Sequence, residues 1–321
     1  MKNQKQKPKI VVIGGGTGLS VLLRGLKTYP VDITAIVTVA DDGGSSGRLR
    51  NELSIPPPGD IRNVIAALSE AEPMIKSLFQ YRFKNGNGLS GHSLGNLLLA
   101  ATTSITGDFV SGVRELSRVL NVNGSVLPAA NQSIVLNAKM TDGIIVEGES
   151  KIPLSNKVID RVFLTPEDIE PLPESLEAIE NADLIVIGPG SLYTSILPNL
   201  LVPGISQAIS RAKAKKVYIC NIMTQQGETN HFTASDHVQA LVDHTHHSFI
   251  DTIVVNNKDI PAEIAARYEL EGAEPVRFDE ERLKSFGFEV ISGKMIQYDH
   301  SVIRHDEQRI SKLLCSLASA R

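Results

Sequence analysis

Short apolar runs rich in valine and isoleucine alternate along the chain with segments whose apolar residues recur at helical spacing. The runs predict strands at residues 9–13, 33–39, 184–187, 216–220 and 252–255. The spacing predicts helices at residues 19–27, 61–70, 94–104, 109–120, 174–181, 205–212, 234–247, 260–268 and 307–317. Strands that are covered on both faces are apolar throughout rather than alternating. We therefore expect an α/β fold with a doubly wound, mostly parallel, Rossmann-like sheet.

The pattern changes between residues 125 and 164, where strand-like alternation flanks Thr141-Asp142-Gly143. Alternation around such a turn is typical of an antiparallel β-hairpin. We interpret residues 125–165 as a β-rich insertion attached to one sheet, because no long polar linker separates this region from its neighbours. The chain is then a single Rossmann-like domain over residues 1–321.

Composition narrows the range of partners. Lysine and arginine number 32 against 36 acidic residues, the net charge is −4, and aromatic residues make up 5% with no tryptophan. We therefore expect no nucleic-acid partner. The basic N-terminal residues precede only about five apolar ones and no apolar run approaches ~18 residues, so we expect a cytoplasmic protein without a membrane span. Cys220 and Cys315 form no disulfide framework or metal motif and are interpreted as core residues.

The first predicted strand runs into the glycine loop GGGTG at residues 14–18. This loop is not a Walker A motif, because no Lys-Ser/Thr pair follows Gly18, and it is not a dinucleotide fingerprint, because Val21 stands where a third glycine is required. Glycines let main-chain N–H groups approach a ligand, and the first turn of the next helix offers unpaired donors to a phosphate. We interpret the loop as a phosphate cradle. The alternative is a tight turn that needs glycine only for its dihedral angles.

The other predicted strands also end in polar or glycine-rich loops. These loops are DDGGSSGRLR after residue 40, GPGSLYTS after residue 187, NIMTQQGE after residue 220 and NNKD after residue 255. In open α/β sheets the carboxyl ends of the strands line one crevice, where ligands bind. The sequence therefore predicts one ligand site formed by several loops.

The loop after the second strand carries two adjacent acids. Asp41 and Asp42 lie about where a dinucleotide fold has its ribose-binding carboxylate. They indicate either recognition of hydroxyl groups or a carboxylate on a divalent cation such as Mg²⁺ beside phosphates, with an Asp-Gly turn as the alternative. Residues 43–46 are interpreted as a backbone nest for an anion, with Arg48 either as its counter-charge or as a solvated surface residue.

Three further polar residues adjoin predicted helices. Asp60 is well placed as an N-cap, a role that is compatible with ligand contact. His92 is either an acid, base or phosphate donor or a surface or helix-capping residue. Asn96 interrupts an apolar helix face, which indicates a role other than helix stability. Asp42, Asp60 and His92 are the candidate catalytic residues, and Asp41 and Asp42 are the candidate metal ligands.

The loop after residue 187 predicts a second phosphate-binding corner, opposite the first glycine loop. Ser191 is alternatively a plain N-cap, and it is not a hydrolase nucleophile because Tyr193 stands where the GxSxG motif has its last glycine. The histidine-rich residues 236–247 have no HExxH motif or cysteine partner. We interpret them as an exposed polar helix face and not as a metal site.

Several motifs together carry a family resemblance. VVIGGGTGL, TVADDGGSSGRLR, PPPGDIRN, GHSLGNLLLA and VIGPGSLYTSILPNLLVPGI, in this order, resemble the bacterial gluconeogenesis factors, which are relatives of 2-phospho-L-lactate transferase. The resemblance spans about residues 9–310 and implies a Rossmann-like sheet with a ligand crevice at the strand ends. The transferase branch moves a phospholactyl group from a guanosine diphosphate donor onto a deazaflavin, using Mg²⁺. The loop after residue 41 is instead similar to that of the gluconeogenesis-factor branch.

The gluconeogenesis-factor branch is regarded as binding nucleotide diphosphates, UDP-sugars and NAD, and as supporting cell-wall synthesis, cell shape and growth on gluconeogenic carbon sources. The resemblance implies that Tyr268 and Arg304 lie at the sugar-nucleotide end of the ligand, although either residue is alternatively a surface residue. With the glycine loops, the candidate ligand-binding residues are Gly15, Gly16, Thr17, Gly18, Asp41, Asp42, Gly44, Ser45, Ser46, Asn96, Gly188, Pro189, Gly190, Ser191, Asn221, Tyr268 and Arg304.

The leading hypothesis is a regulatory factor that binds a UDP-sugar or NAD, forms a homo-oligomer and acts on a cell-wall synthesis or regulatory protein. The first alternative is a Mg²⁺-dependent transferase in which Asp41 or Asp42 holds the metal and Asp60 or His92 manages the proton. The second alternative, an NAD-dependent oxidoreductase, is disfavoured by the missing third glycine.

Overall fold

The computed structural model describes residues 6–299 and 302–319 of the chain. The strands are β1 (Lys9–Gly14), β2 (Asp32–Val37), β3 (Ser125–Pro128), β4 (Val135–Met140), β5 (Ile145–Glu147), β6 (Ile159–Thr165), β7 (Leu184–Ile187), β8 (Lys215–Ile219), β9 (Thr252–Asn256), β10 (Glu289–Gly293), β11 (Ile296–Asp299) and β12 (Val302–His305). The helices are α1 (Gly16–Leu26), α2 (Gly44–Leu53), α3 (Gly59–Leu68), α4 (Pro73–Gln80), α5 (Leu94–Thr106), α6 (Phe109–Val119), α7 (Pro173–Glu180), α8 (Leu197–Leu200), α9 (Ile205–Arg211), α10 (Ala234–Thr245), α11 (Ala262–Leu270), α12 (Glu280–Ser285) and α13 (Glu307–Ser319).

A seven-stranded sheet forms the centre of the fold, in the order β10-β9-β8-β7-β1-β2-β3. All of its neighbouring strands are parallel. From β1 the chain builds outward through β2 to β3, and it then returns to the other side of β1 with β7. This reversal places the topological switch point between β1 and β7, where a doubly wound sheet opens a crevice at its carboxyl edge. The predicted α/β, Rossmann-like class is confirmed.

The apolar strand residues are buried because helices cover both faces of the sheet. Ile10, Val12 and Ile13 of β1 have no exposed surface, and the same holds for all four residues of β7. Leu19, Leu23 and Leu26 of α1 pack in the same core. Continuous hydrophobicity therefore identified the central strands correctly, as expected for strands that contact helices on both sides.

A separate three-stranded sheet, in the order β5-β4-β6, lies within the predicted insertion. β4 and β5 pair antiparallel on either side of the turn that contains Gly143 (φ 84°), so the hairpin prediction is confirmed. The start of the insertion was placed too early. Residues 125–128 form β3, which pairs parallel with β2 at the edge of the main sheet.

All nine predicted helices are present to within about a turn, and the remaining elements were not predicted. The stretch DDGGSSGRLR was interpreted as a loop, but its second half begins α2 at Gly44. Also unpredicted are the edge strand β10, the antiparallel pair β11–β12 and the short helices α4, α8 and α12. Among the described residues, no helix is long and apolar enough to cross a membrane.

Candidate functional site

A crevice lies at the carboxyl ends of β1 and β7, at the switch point of the sheet. It encloses about 260 Å³ and is lined by the first glycine loop, the loop after β7, the loop after β8, α11 and β12. Ten of the predicted ligand-binding residues meet in its walls. They are Gly15, Gly16, Thr17, Gly18, Pro189, Gly190, Ser191, Asn221, Tyr268 and Arg304.

The two glycine-rich corners touch each other, because neither has side chains that would separate them. A Cβ atom built on Gly18 would lie 3.1 Å from the carbonyl oxygen of Pro189, and one built on Gly190 would lie 3.2 Å from the carbonyl oxygen of Gly15. Gly16 has φ +67°, a left-handed conformation that favours glycine. Main-chain groups therefore form the floor of the crevice.

Asp60 lies directly beneath the first glycine loop. A Cβ atom on Gly15 would be 2.6 Å from its Oδ2 atom, so only glycine fits between the loop and this carboxylate. Asp60 was predicted as an N-cap, which is wrong: the N-cap of α3 is Pro58, and Asp60 lies in the first turn. Its carboxylate instead accepts a hydrogen bond from the backbone N–H of Gly16. Burial, followed by the charge of Asp41, raises the pKa of Asp60 to about 6.

The loop after β8 is tied to the second glycine corner. Nδ2 of Asn221 donates to the carbonyl oxygen of Gly190 at 3.0 Å, and Nε2 of Gln225 donates to the hydroxyl of Ser191 at 2.8 Å. Ser191 occupies the N-cap position of a π-helical turn, as its alternative predicted, but its side chain makes no cap hydrogen bond.

The far wall of the crevice is formed by α11 and β12. The hydroxyl of Tyr268 accepts the backbone N–H of Ile303 at 3.0 Å and keeps its own proton available to a ligand. Arg304 lines both this crevice and an adjoining polar chamber of about 550 Å³ that also contains Arg24 and Tyr298. His305 follows, and its Nε2 atom lies 3.1 Å from the carbonyl oxygen of Cys220.

Of the other predicted residues, Gly188 (φ +78°) lies in the second glycine corner, whereas Ser45, Ser46, His92 and Asn96 form a second polar cluster and are not among the residues that line the crevice. His92 is 4% exposed and its Nδ1 atom lies 2.9 Å from the hydroxyl of Ser45. Asn96, also buried, donates from Nδ2 to the hydroxyls of Ser45 (3.1 Å) and Ser46 (3.5 Å). The surface alternative for His92 is therefore wrong. Gly44 begins α2 beside these serines.

Carboxylates join this polar cluster to the floor of the crevice. Oδ1 of Asp41 accepts from the N–H of Gly43 at 2.9 Å, as in the predicted Asp-Gly turn. Oδ1 of Asp42 accepts from the N–H of Ser150, at 2.8 Å, in the insertion. The neighbouring Glu149 faces both aspartates. Burial, then the charges of Asp41, Asp60 and Asp42, raises the pKa of Glu149 to about 9.

These acidic residues do not form a ready metal cage. Over residues 6–299 and 302–319, no group of three or more His, Cys, Asp or Glu side chains is arranged to hold a metal ion. A Mg²⁺ site that uses one or two carboxylates together with ligand phosphates needs fewer protein ligands. Asp41 and Asp42 fit that lesser requirement, because both are partly accessible and the charge of Asp41 acts on Asp60, which lies against Gly15.

The histidine-rich helix is not the exposed polar face that we expected. His237 and His244 of α10 are 0% and 5% exposed. Nε2 of His244 accepts the backbone N–H of Val162 at 3.0 Å, which ties the insertion to the main body. The prediction was wrong because a polar side chain can be buried when it finds hydrogen-bond partners. Both rings hydrogen-bond to carbonyl oxygens one turn earlier in the chain.

Sequence reasoning missed four polar residues near the site: Glu149, Gln225, Glu228 and His305. Gln225 and Glu228 belong to the polar loop NIMTQQGE, whose polarity predicts a ligand loop but does not distinguish the roles of its residues. Glu228 accepts from the hydroxyl of Thr194 at 3.0 Å, and burial raises its pKa to about 7. Glu149 and His305 lie in segments whose sequence contains no motif that indicates a ligand-binding role.

The geometry defines a Rossmann-like α/β protein with a crevice at the switch point of its sheet, floored by glycine main chain. The model of the family 2-phospho-L-lactate transferase CofD matches residues 10–296. The chain is 66% identical to the gluconeogenesis factor of Bacillus subtilis over 312 residues, covering 97% of this chain and 98% of that protein. It is 47% identical to the gluconeogenesis factor of Listeria innocua over 315 residues, covering 98% and 97%.

A crystal structure of a Bacillus halodurans protein superimposes with a TM-score of 0.95 at 62% identity, covering 96% of this chain and 99% of that one. The chain therefore belongs to the gluconeogenesis factors of the CofD family.

Proposed function

We propose that the protein is a cytoplasmic regulatory factor that binds a nucleotide diphosphate, either a UDP-sugar or NAD, in the crevice between β1 and β7. Its role is to support gluconeogenic growth, cell shape and cell-wall synthesis through a protein partner. The observation that carries the proposal is the contact between the two glycine corners, at the switch point where doubly wound sheets bind nucleotides.

The chemistry of the floor suits a diphosphate. The first turn of α1 contains no acidic residue and its N-cap, Gly15, has no side chain, so main-chain N–H groups and the positive end of the helix dipole are open to an anion. Arg304 adds a cation to the lining of the crevice. The adjoining chamber with Arg24 and Tyr298 gives the distal half of a longer ligand a place to lie.

A regulatory role is supported by the position of Asp60. Its carboxylate accepts the N–H of Gly16, which is one of the donors that a bound phosphate would approach. The same carboxylate interacts with Asp41 and, through the acidic residues, with Glu149 of the insertion. Ligand binding at the floor would therefore change the electrostatic environment of Glu149, which lies in the insertion. A partner protein that contacts the insertion can sense this change.

The second candidate function is a Mg²⁺-dependent transferase like the 2-phospho-L-lactate transferase of the family model. Three carboxylates favour it. Asp41 or Asp42 could hold a metal against ligand phosphates, and Asp60, which lies beside Gly15 and has its pKa raised to about 6, is suited to proton transfer near neutral pH. When bound, Mg²⁺ would neutralise charge on a phosphorus centre.

The binding test is calorimetry with UDP, UDP-N-acetylglucosamine, NAD and GDP, with and without Mg²⁺. Substitutions at Gly16 would strain its left-handed backbone, so Arg304→Ala is the better variant. We expect it to weaken nucleotide binding by on the order of tenfold or more, as for loss of a charge-assisted hydrogen bond. Arg309→Ala, an exposed arginine on α13, is the matched control and should bind as the wild type does. Equal affinity of both variants, or no binding by the wild type, would contradict the proposal.

Asp42→Asn separates the two candidates. A transferase should lose turnover, measured as release of nucleotide monophosphate from a diphosphate donor, far beyond its loss of nucleotide affinity. A regulatory factor should show no such release before or after the change.

A further inference from the structure

The walls of the crevice differ in their hydrogen-bonding chemistry. The floor and Arg304 present donors, which suit phosphate oxygens. The wall formed by the loop after β8 and, on β12, by His305 alone presents acceptors that have no partner among the described residues. Because a buried acceptor without a partner is unfavourable, such atoms in a ligand crevice indicate where a ligand supplies donors.

Two of these acceptors belong to side chains that hold the second glycine corner. Nδ2 of Asn221 donates to the carbonyl oxygen of Gly190, so the other terminal atom of this amide is its oxygen. That Oδ1 atom is buried and has no hydrogen-bond partner among the described residues. Gln225 repeats the arrangement: Nε2 donates to the hydroxyl of Ser191, and Oε1 is buried without a partner in the described part of the chain.

The third acceptor is on His305. The carbonyl oxygen of Cys220 can only accept, so Nε2 of His305 carries the ring proton and Nδ1 keeps a lone pair. Burial lowers the pKa of His305 to about 4, which keeps the ring neutral at physiological pH. His305 therefore offers an acceptor and no positive charge to this wall of the crevice.

The geometry points to Asn221, Gln225 and His305 as the subsite that recognises the ribose hydroxyls of the nucleotide. This inference rests on the proposed nucleotide site and specifies which part of the ligand each wall reads. Asn221 and Gln225 are bonded to the same corner that faces the phosphates, so their free oxygens lie close to the phosphate position. The sugar hydroxyls are the donors nearest to the phosphates of such a ligand, whereas the base lies farther away. The adjoining chamber with Arg24 and Tyr298 takes the distal half of the ligand, so the ribose is the sugar assigned to this wall.

The same chemistry excludes an anion from this wall. Neutral acceptors repel phosphate oxygens and leave them without donors. The diphosphate is therefore directed to the glycine floor and Arg304, and the ligand takes one orientation. Gln225 and His305 act as specificity-determining residues for a ribose that carries both hydroxyls.

The experiment is calorimetric titration of the full chain with UDP, 2′-deoxy-UDP, 3′-deoxy-UDP and CDP. We expect at least one deoxy analogue to bind on the order of tenfold more weakly than UDP, because a buried acceptor is left unpaired. CDP, which keeps both hydroxyls but lacks the N3–H donor of uracil, should bind about as UDP does. Gln225→Met removes Oε1 and keeps a side chain of similar length. In this variant the affinity for UDP should fall towards that for the deoxy analogue.

Gln239→Met is the matched control. It makes the same substitution on α10, where Gln239 donates to Asp243 and is not among the residues that line the crevice, so the ratio of UDP to deoxy-UDP affinity should persist. A ratio that is unchanged in Gln225→Met would show a merely structural role. Equal binding of UDP and both deoxy analogues by the wild type would overturn the ribose subsite and leave the nucleotide site standing. If CDP alone bound more weakly than UDP, the subsite would recognise the base, and the ribose proposal would likewise be overturned. No binding of UDP, GDP or NAD would overturn both proposals.

Discussion

Replacing Asp60 by asparagine removes a negative charge from beneath the glycine floor and preserves the shape of the side chain. The carboxylate lies against Gly15, accepts the N–H of Gly16 and faces the charge of Asp41. An amide oxygen can still accept the N–H of Gly16. The substitution therefore isolates the effect of charge from the effect of packing.

The magnitude follows from the pKa of Asp60, which is raised from 3.8 to about 6, mainly by burial. A shift of about two units corresponds to roughly 3 kcal/mol at 1.36 kcal/mol per unit. The folded state binds a proton more readily than the unfolded state between pH 3.8 and about 6. Wild-type stability therefore falls as pH rises through this window, and the full destabilisation is present above about pH 6.

We expect Asp60→Asn to be more stable than the wild type by up to roughly 3 kcal/mol at pH 7.5 and to show little difference near pH 4. Urea unfolding at four pH values between 4 and 7.5 measures this difference. Asp108→Asn is the control of opposite sign, because hydrogen bonds from Ser111 lower the pKa of Asp108. Its charge stabilises the protein at neutral pH, and that contribution is lost as pH falls.

The same variant tests the role of the carboxylate in binding. If Asp60 only opposes a phosphate at the N–H of Gly16, Asp60→Asn should bind UDP more tightly at pH 7.5. Weaker binding that depends on Mg²⁺ would instead support a metal-linked role. A stability difference that is constant from pH 4 to 7.5, or a destabilised variant at pH 7.5, would refute the electrostatic reasoning.

Two further predictions concern packing outside the crevice. Gly25→Ala should destabilise the fold by about 1–3 kcal/mol, because its Cβ would lie 2.7 Å from the carbonyl oxygen of Glu307 where α1 packs on α13; a urea midpoint equal to that of the wild type would contradict it. His244→Leu should cost about 1–3 kcal/mol, since the N–H of Val162 loses its acceptor. Hydrogen exchange should then show faster exchange at Val162, and unchanged protection there would count against this role.

The central strands and long helices could be predicted because their signals are local. Each residue of β7 is fully buried, so four consecutive apolar residues mark it in the sequence. The edge strands β3 and β10 lack such a signal. β10 has no fully buried residue, and β3 begins with an exposed serine, because an edge strand is covered on fewer sides. Pairing with β2, which lies far away in the sequence, decides that β3 belongs to the main sheet.

The candidate site likewise has one part that the sequence predicts and one part that it does not. The glycine corners could be predicted because two turns of main chain can approach each other this closely only where side chains are absent. Glycine-rich turns of this kind are visible in the sequence. The acceptors on Gln225 and His305 could not be predicted, because hydrogen bonds to residues distant in the sequence decide which end of each side chain stays free. Gln225 and His305 are ordinary polar residues in the sequence. Only when one end of each side chain is bonded to Ser191 or Cys220 does the other end become an acceptor with a defined direction.

This difference explains why phosphate sites are easier to predict than the rest of a nucleotide site. A phosphate is held by backbone groups, whose positions follow from a strand, a glycine turn and a helix start. Ribose recognition needs side chains that the fold has fixed from the other end. In the proposed ribose subsite, β12 supplies His305 from 85 residues beyond Cys220, so the specificity that we propose depends on the tertiary structure, whereas the sequence alone predicts the glycine corners.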